Sequence, residues 1–287
     1  MPFVKILRVL VVLILLGCVG LYGADYLGAD RFEQRHQDLL KSMHHMADQT
    51  ATEQYKRTDL ADLPPLVRQY LEKAAPLDQP KAELTRVWQK GRIKTTEDSS
   101  WSDFEAREHI TLSTRQMVWA AKADLAPLTK LYILTSKLTD SARVDSWLWG
   151  LLEVSDRKGQ VIRAYLMLRW LAEAVWHPHA LLPGPDLKWE RTVKKIGSGR
   201  AARVSLTQDG ITVSGTFLFA ASKGAPFFFL ADPGPFAELR IRRFFCRYSD
   251  WRKEQGTYIP FRMEQGTRYM VSDRSMLEIE LLKLEKP

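Results

Sequence analysis

The first segment of the chain is apolar and carries its charges near the start. Lys5 and Arg8 precede an uninterrupted apolar run over residues 9–23, which is shorter than the roughly 20 residues that a membrane-spanning helix needs. If Lys5 and Arg8 reach back to the membrane surface, the apolar stretch of residues 3–23 becomes long enough. The pattern predicts a transmembrane anchor in residues 1–24 that contacts the membrane through residues 3–23.

The charges on either side of this anchor predict its orientation. Lys5 and Arg8 precede the apolar run, and Asp25 and Asp30 follow it, so the short N-terminus is expected in the cytoplasm and the rest outside it. We expect a single-pass protein of the inner membrane with a periplasmic C-terminal domain. There are two alternatives: a lipoprotein acylated at Cys18, since LLGC is similar to a lipoprotein signal, and a secretory signal that is cleaved.

Residues 25–62 are predicted to form a juxtamembrane helix and a linker. The segment DRFEQRHQDLLKSMHHMADQ has apolar residues at helical spacing, and Asp30 with Glu33 three residues later is typical of a capping box. The adjacent His44 and His45 point to different faces of such a helix, so we interpret these histidines and His36 as solvated. A globular domain, residues 63–287, is expected to follow.

Within that domain, residues 161–176 show the strongest helical periodicity, and Pro178 ends the predicted helix. About ten other segments alternate as strands do. The clearest is a hairpin in which Gln208-Asp209-Gly210 joins residues 201–207 to 211–220. One amphipathic helix among many strands must lie against a sheet. The predicted fold is therefore α+β, a strongly curved antiparallel sheet, like a half-barrel, packed on one long helix.

Composition adds a limit on partners. The formal charge is +8 and the pI is about 9.4, which suits anionic surfaces. Basic residues are interleaved with acidic ones through the chain, so a solvated surface is favoured and no nucleic-acid partner is predicted. The two cysteines, Cys18 and Cys246, leave no disulfide within the globular domain, and we interpret Cys246 as a small buried side chain.

Candidate chemistry is sparse, because the motifs G-x-S-x-G, H-E-x-x-H and C-x-x-C do not occur in the sequence. No catalytic residue, metal or cofactor is predicted. Arg169 and Glu173 fit a surface ion pair, with a buried pair that orients a ligand as the alternative. His177 and His179 flank a proline and most simply cap carbonyls at the helix C-terminus. The alternative is that the two histidines converge on a metal, although no set of further ligands stands close by.

The aromatic residues suggest an apolar ligand. Nine Trp and twelve Phe are mostly expected in the core, but a curved sheet can use some of them to line a cavity. The residues predicted to bind a ligand are Arg169, Glu173, Trp176, His177, Phe217, Phe219, Phe228 and Trp251.

Several motifs resemble a bacterial membrane-anchored family of unknown function. In that family a helix with Arg-x-Leu-x-Glu and Trp-x-Pro precedes antiparallel strands, and a later strand carries Gly-x-Tyr-Ile-Pro. The matching positions here are Arg169, Leu171, Glu173, Trp176, Pro178, Gly256, Tyr258, Ile259 and Pro260. The resemblance covers residues 63–287 and implies no activity. More distantly, the predicted fold is similar to the Lol-type periplasmic lipoprotein carriers, an analogy of fold alone.

The leading hypothesis is a membrane-anchored, periplasm-facing domain that binds a hydrophobic ligand, a lipid or a lipoprotein, and is not an enzyme. The first alternative is an envelope hydrolase that uses Glu173, His177 and His179. The second is a non-catalytic scaffold subunit whose anchor helix binds other membrane proteins.

Overall fold

The computed structural model describes residues 2–47, 60–75, 84–190, 194–196, 199–220, 224–269 and 272–286. These residues contain four α-helices and fourteen strands. The helices are α1 (Pro2–Ala47), α2 (Pro65–Ala74), α3 (Gln160–Glu173) and α4 (Ala237–Ile241). Two short 3₁₀ turns, Ala174–Trp176 and Pro178–Leu181, follow α3.

All of the strands belong to one antiparallel sheet. They are β1 (Leu84–Ile93), β2 (Ser102–Thr111), β3 (Met117–Ala126), β4 (Thr129–Lys137), β5 (Ala142–Leu148), β6 (Leu152–Lys158), β7 (Leu187–Trp189), β8 (Lys194–Ile196), β9 (Gly199–Gln208), β10 (Ile211–Phe219), β11 (Pro226–Ala231), β12 (Arg242–Glu254), β13 (Thr257–Tyr269) and β14 (Ser272–Glu285). The order is β6-β5-β4-β3-β2-β1-β14-β13-β12-β11-β10-β9-β7, with β8 also paired to β9.

The contacts of α3 show that the sheet is strongly curved. α3 touches β5 near one edge and also β10 and β12 toward the other. β5 is second and β10 eleventh in the sheet order, so nine spacings of about 4.8 Å would put them roughly 43 Å apart in a flat sheet. A helix of 14 residues is only about 21 Å long. The predicted curved α+β fold is confirmed.

Helices cover both faces of this sheet. On the face we call inner, α2 and α3 pack into one large apolar core with residues such as Val87, Trp119 and Phe217. On the opposite, outer face, the second half of α1 packs through Phe32, Leu40 and Met43 onto a smaller cluster that includes Tyr132 and Leu134. The Phe32 and Tyr132 ring centroids are 5.0 Å apart.

Helix α1 runs unbroken from the apolar segment into the segment docked on the sheet. The capping box predicted at Asp30 is wrong, because Asp30 lies inside the helix and accepts a hydrogen bond from Gln34 Nε2 at 2.9 Å. Docking is close at Gly28, where an added Cβ would lie 1.6 Å from the carbonyl oxygen of Trp149. Helix and sheet therefore touch backbone to backbone at this point.

Candidate functional site

A buried ion pair lies between α3 and the inner face of the sheet. Arg169 Nε donates to Glu173 Oε1 at 2.8 Å, and the two side chains are 6% and 0% exposed. Gln265 Nε2, from β13, donates to the same carboxylate. The predicted surface pair is therefore wrong, because both side chains are buried; a role for this pair in orienting a ligand stays a prediction. The pair is buried because the curved sheet covers not only the apolar face of α3 but also the surfaces on either side of that face.

A second carboxyl group joins this pair from β2. Glu108 is fully buried, accepts from Gln89 Nε2 at 2.7 Å, and lies close enough to Glu173 for the two carboxyl groups to interact. Burial, and then the charge of Glu173, raise the pKa of Glu108 well above its ordinary value. Both effects favour the protonated form of Glu108, as expected where two carboxyl groups meet in a low-dielectric site.

The guanidinium of Arg169 lies against these two carboxyl groups. Burial acts to lower the pKa of Arg169, but the carboxyl groups of Glu173 and Glu108 outweigh it and raise the pKa. The guanidinium carbon also lies 4.6 Å from the centroid of the Trp119 ring, and Trp119 Nε1 donates to Gln89 Oε1 at 2.8 Å. These contacts connect α3 to β1, β2, β3 and β13.

The end of α3 connects the two motifs of the family resemblance. Trp176 Nε1 donates to the carbonyl of Pro260 at 2.9 Å, and Tyr248 Oη donates to the carbonyl of Ala172 at 2.9 Å. Both bonds are buried. The Trp-x-Pro and Tyr-Ile-Pro elements therefore form one packing contact between the helix end and strand β13.

His177 does not cap the helix as predicted. It is 2% exposed, and neither ring nitrogen has a hydrogen-bond partner among the residues that the structure describes. Burial, followed by the charges of Lys286 and His179, lowers its pKa to about 3, so the ring is neutral. Because Glu173 and His177 are both closed to solvent, a substrate could not reach them in this conformation.

The predicted aromatic ligand residues lie on two different faces. Phe217, Phe219 and Trp251 pack on the inner face, where Tyr70 is 6.0 Å from both Phe219 and Trp251. Phe217 and Phe219 are each 1% exposed, so they fill the core rather than line a cavity. Phe228 lies on the outer face, stacked on Phe245 at 5.7 Å. The structure does not bring the predicted set together.

The outer face holds a groove of about 1040 Å³, a volume typical of ligand sites. Strand register places charged residues, with Ser249 at the end of one row, in two rows across its floor. One row is Lys130, Asp124, Asp103, Arg92, Glu278, Glu264 and Arg247, and the other is Lys122, Glu105, Lys90, Glu280, Arg262 and Ser249. Some of these pair, as Arg92 does with Glu278 at 2.5 Å. Phe227, 44% exposed, adds an apolar wall.

This groove reaches helix α1. Lys130 Nζ donates to Asp25 Oδ2 at 2.9 Å, and Tyr132 Oη donates to Asp25 Oδ1 at 2.8 Å. Asp25 follows the apolar segment of α1 directly. The groove was not predicted from the sequence, because its residues come from eight strands and each resembles an ordinary solvated position in its local segment.

A pair of histidines lies beneath α1, where solvated side chains were predicted. His36 is fully buried, His109 is 7% exposed, and their ring centroids are 5.4 Å apart. Arg107, beside them, pairs with Glu33 of α1. The solvated interpretation is wrong for His36, since α1 packs its His36 face on β2. Within the described residues, no group of three or more His, Cys, Asp or Glu is arranged to hold a metal ion.

Comparison with known proteins assigns a family. Residues 53–278 match the DUF6544 family, described as a family of unknown function. The chain belongs to this family. No curated protein sequence matches it.

Solved structures with a related arrangement share little sequence with this chain. A LolA superfamily protein from Nitrosomonas europaea is 11% identical, with a TM-score of 0.41 over 77% of this chain and 92% of that one. A putative outer membrane lipoprotein-sorting protein domain from Vibrio parahaemolyticus is 7% identical, with a TM-score of 0.42 over 77% and 90%. A DUF1329 family protein from Desulfovibrio piger is 7% identical, with a TM-score of 0.40 over 80% and 92%.

Proposed function

We propose that this protein is a single-pass, membrane-anchored domain of the cell envelope that binds a lipid or the lipid part of a lipoprotein. The observation that carries the proposal is the course of α1. The segment Val4–His44 contains an 18-residue window of mean hydropathy 2.6 with no buried residue, while Phe32 and Met43 further along are buried against the sheet. A helix with exposed apolar side chains at one end and a docked other end is typical of an anchor.

The charge pattern supports an exported body. Lys5 and Arg8 lie on the N-terminal side of the apolar window, and Asp25 and Asp30 lie on the other side. This asymmetry favours a cytoplasmic N-terminus and a periplasmic sheet. A lipoprotein acylated at Cys18 is the alternative, and it would keep the same sheet at a membrane.

The groove supports binding of a lipid by its headgroup. Its lining interleaves Lys and Arg with Asp and Glu, which offers partners for a headgroup that carries both signs of charge. It adjoins α1 at Asp25, so a lipid leaving the bilayer along α1 would meet the groove first. The inner face is filled by packed aromatic residues, so the outer groove is the better candidate site.

Intact mass and lipid content of the full chain, purified from membranes, test this proposal. We expect a mass that begins at Met1 and a lipid that co-purifies in a fixed ratio, detected by native mass spectrometry. The charge-reversal variant Arg262→Glu should lose that lipid, while Lys158→Glu, at an exposed position on β6 outside the groove, should keep it. A protein free of lipid in every preparation would contradict lipid binding, and a mass that begins at an acylated Cys18 would establish the lipoprotein alternative.

A further inference from the structure

Two hairpin tips beside α1 expose apolar side chains. The turn between β3 and β4 carries Leu128, which is 50% exposed, and the turn between β5 and β6 leads to Leu152, which is 58% exposed. Trp149 joins the two tips, because its Nε1 donates to the carbonyl of Leu128 at 2.7 Å. We call Leu128, Trp149 and Leu152 the apolar rim.

Two residues of the apolar rim have an unusual backbone conformation. Leu128 has φ 62° and Trp149 has φ 49°, a left-handed conformation that favours Gly, Asn or Asp in turns. Polar turn residues would suit a tip in water. Large apolar side chains at these positions instead indicate a tip that meets an apolar environment.

Contacts of α1 show which end of the sheet the rim occupies. Along α1, Asp25 bonds Lys130 and Tyr132 at the start of β4, whereas Leu40 and Met43 pack in the cluster with Leu134 and Leu138 at its end. Moving toward the apolar end of α1 therefore means moving toward the β3–β4 turn. Leu128 lies two residues beyond Lys130 in that direction.

The distance along the helix brings the rim to the bilayer surface. Gly28 of α1 touches Trp149 and Gly150, five residues after Gly23, where the apolar segment ends. At about 1.5 Å per residue this is roughly 7.5 Å, close to the depth of the polar headgroup layer on one side of a bilayer. Tyr26 and Leu27, 72% and 60% exposed, lie at the same level of the helix.

We propose that the apolar rim inserts into the interface of the same bilayer that holds α1, so that the sheet is seated on the membrane at a fixed orientation instead of hanging from a tether. The inference rests on the proposed membrane anchor. A single tryptophan with a hydrogen-bonded indole between two leucines is suited to the boundary between headgroups and acyl chains.

Probe depth in vesicles tests this inference with the full chain. Single labelling sites are made by Leu128→Cys and Leu152→Cys in a Cys18→Ser background, while Cys246 is fully buried and stays unlabelled. An environment-sensitive fluorophore is attached, and the protein is inserted into phosphatidylethanolamine–phosphatidylglycerol vesicles that contain brominated lipid. Leu13→Cys serves as the control inside the span, and Asp140→Cys, in the exposed turn at the far end of β4, is the control in water.

We expect fluorophores at positions 128 and 152 to be blue-shifted and to lose intensity to the brominated lipid, unlike the fluorophore at position 140. If positions 128 and 152 behave like position 140 while position 13 is quenched, the anchor stands and the rim proposal is overturned. If position 13 is not quenched either, the proposed anchor itself fails.

Discussion

Replacing Gly28 with alanine should loosen the docking of α1 on the sheet. The added Cβ would lie 1.6 Å from the carbonyl oxygen of Trp149 and 3.0 Å from Cα of Gly150. Since normal non-bonded contacts are near 3.5 Å, the helix must move away by about 2 Å. The obstructing atoms belong to backbone, which cannot rotate away as a flexible side chain would.

The size of the effect follows from two opposing contributions. Overpacking of this kind costs about 1–3 kcal/mol, and alanine in place of glycine favours the helix by about 1 kcal/mol. Because the obstructing atoms belong to backbone, the upper part of the overpacking range, about 2–3 kcal/mol, applies. The expected net loss of docking free energy is then about 1–2 kcal/mol, which raises the undocked population roughly 5–30-fold. The loss falls on the buried contacts of Phe32, Leu40 and Met43.

Hydrogen exchange of the full chain in lipid nanodiscs measures this population, because amides in residues 29–44 exchange faster when α1 leaves the sheet. Gly23→Ala is the matched control: it lies in the same helix, and a Cβ there has no atom within 4 Å. The control should exchange at the wild-type rate or more slowly. Equal exchange in Gly28→Ala and Gly23→Ala would refute the close contact at Trp149.

Three further changes test the interior. Arg169→Met removes the cation of the buried pair with Glu173 and should lower the free energy of unfolding by about 3–5 kcal/mol in urea titrations. The control Lys90→Met breaks an exposed pair with Glu280 and should lower it by at most about 1 kcal/mol. Equal losses would contradict the burial of the Arg169–Glu173 pair. Burial, then the charges of His36, Arg86 and Arg107, lower the pKa of His109 to about 3, so between about pH 6.5 and 3 the unfolded chain binds a proton that the folded chain does not. Stability therefore falls as pH falls through this window, by up to about 1.4 kcal/mol per pH unit. Urea titrations of His109→Gln should show a shallower decline than those of the wild type. An identical decline would contradict the lowered pKa of His109. Gly215→Ala places a Cβ 2.2 Å from the buried Phe229 ring and should lower the thermal midpoint through overpacking of about 1–3 kcal/mol; an unchanged midpoint would argue against that packing.

Features with a local cause were predictable from the sequence. The turn at Asp209 and Gly210 was expected from its residue types, and both have positive φ, 49° and 75°, as a type I′ hairpin requires. The helix near residue 161 was expected from its period and is α3. In each case neighbouring residues determine the conformation.

Features set by distant pairing were not predictable. The run Phe227–Phe229 has no alternation to mark its inner side, and only pairing of Phe229 with Cys246 and of Phe228 with Arg247 assigns the two rings to opposite faces. The length of α1 was not predictable for the same reason. The change to polar residues near Asp25 suggested that a new helix begins there, but packing on β2, β3 and β4 supports one continuous helix.

The polar cluster shows how two local exceptions can explain each other. Glu108 interrupts the apolar alternation of β2, and Arg169 with Glu173 interrupts the buried face of α3. A charge at a buried strand position needs a partner that is also buried, and the same holds for a helix charge surrounded by apolar residues. Each exception alone reads as a surface residue, and together they predict a contact between β2 and α3. The contact was therefore predictable in principle, but only by pairing two charged residues that each interrupt an apolar pattern. Glu108 and Arg169 are 61 positions apart in the sequence, so no local window contains both.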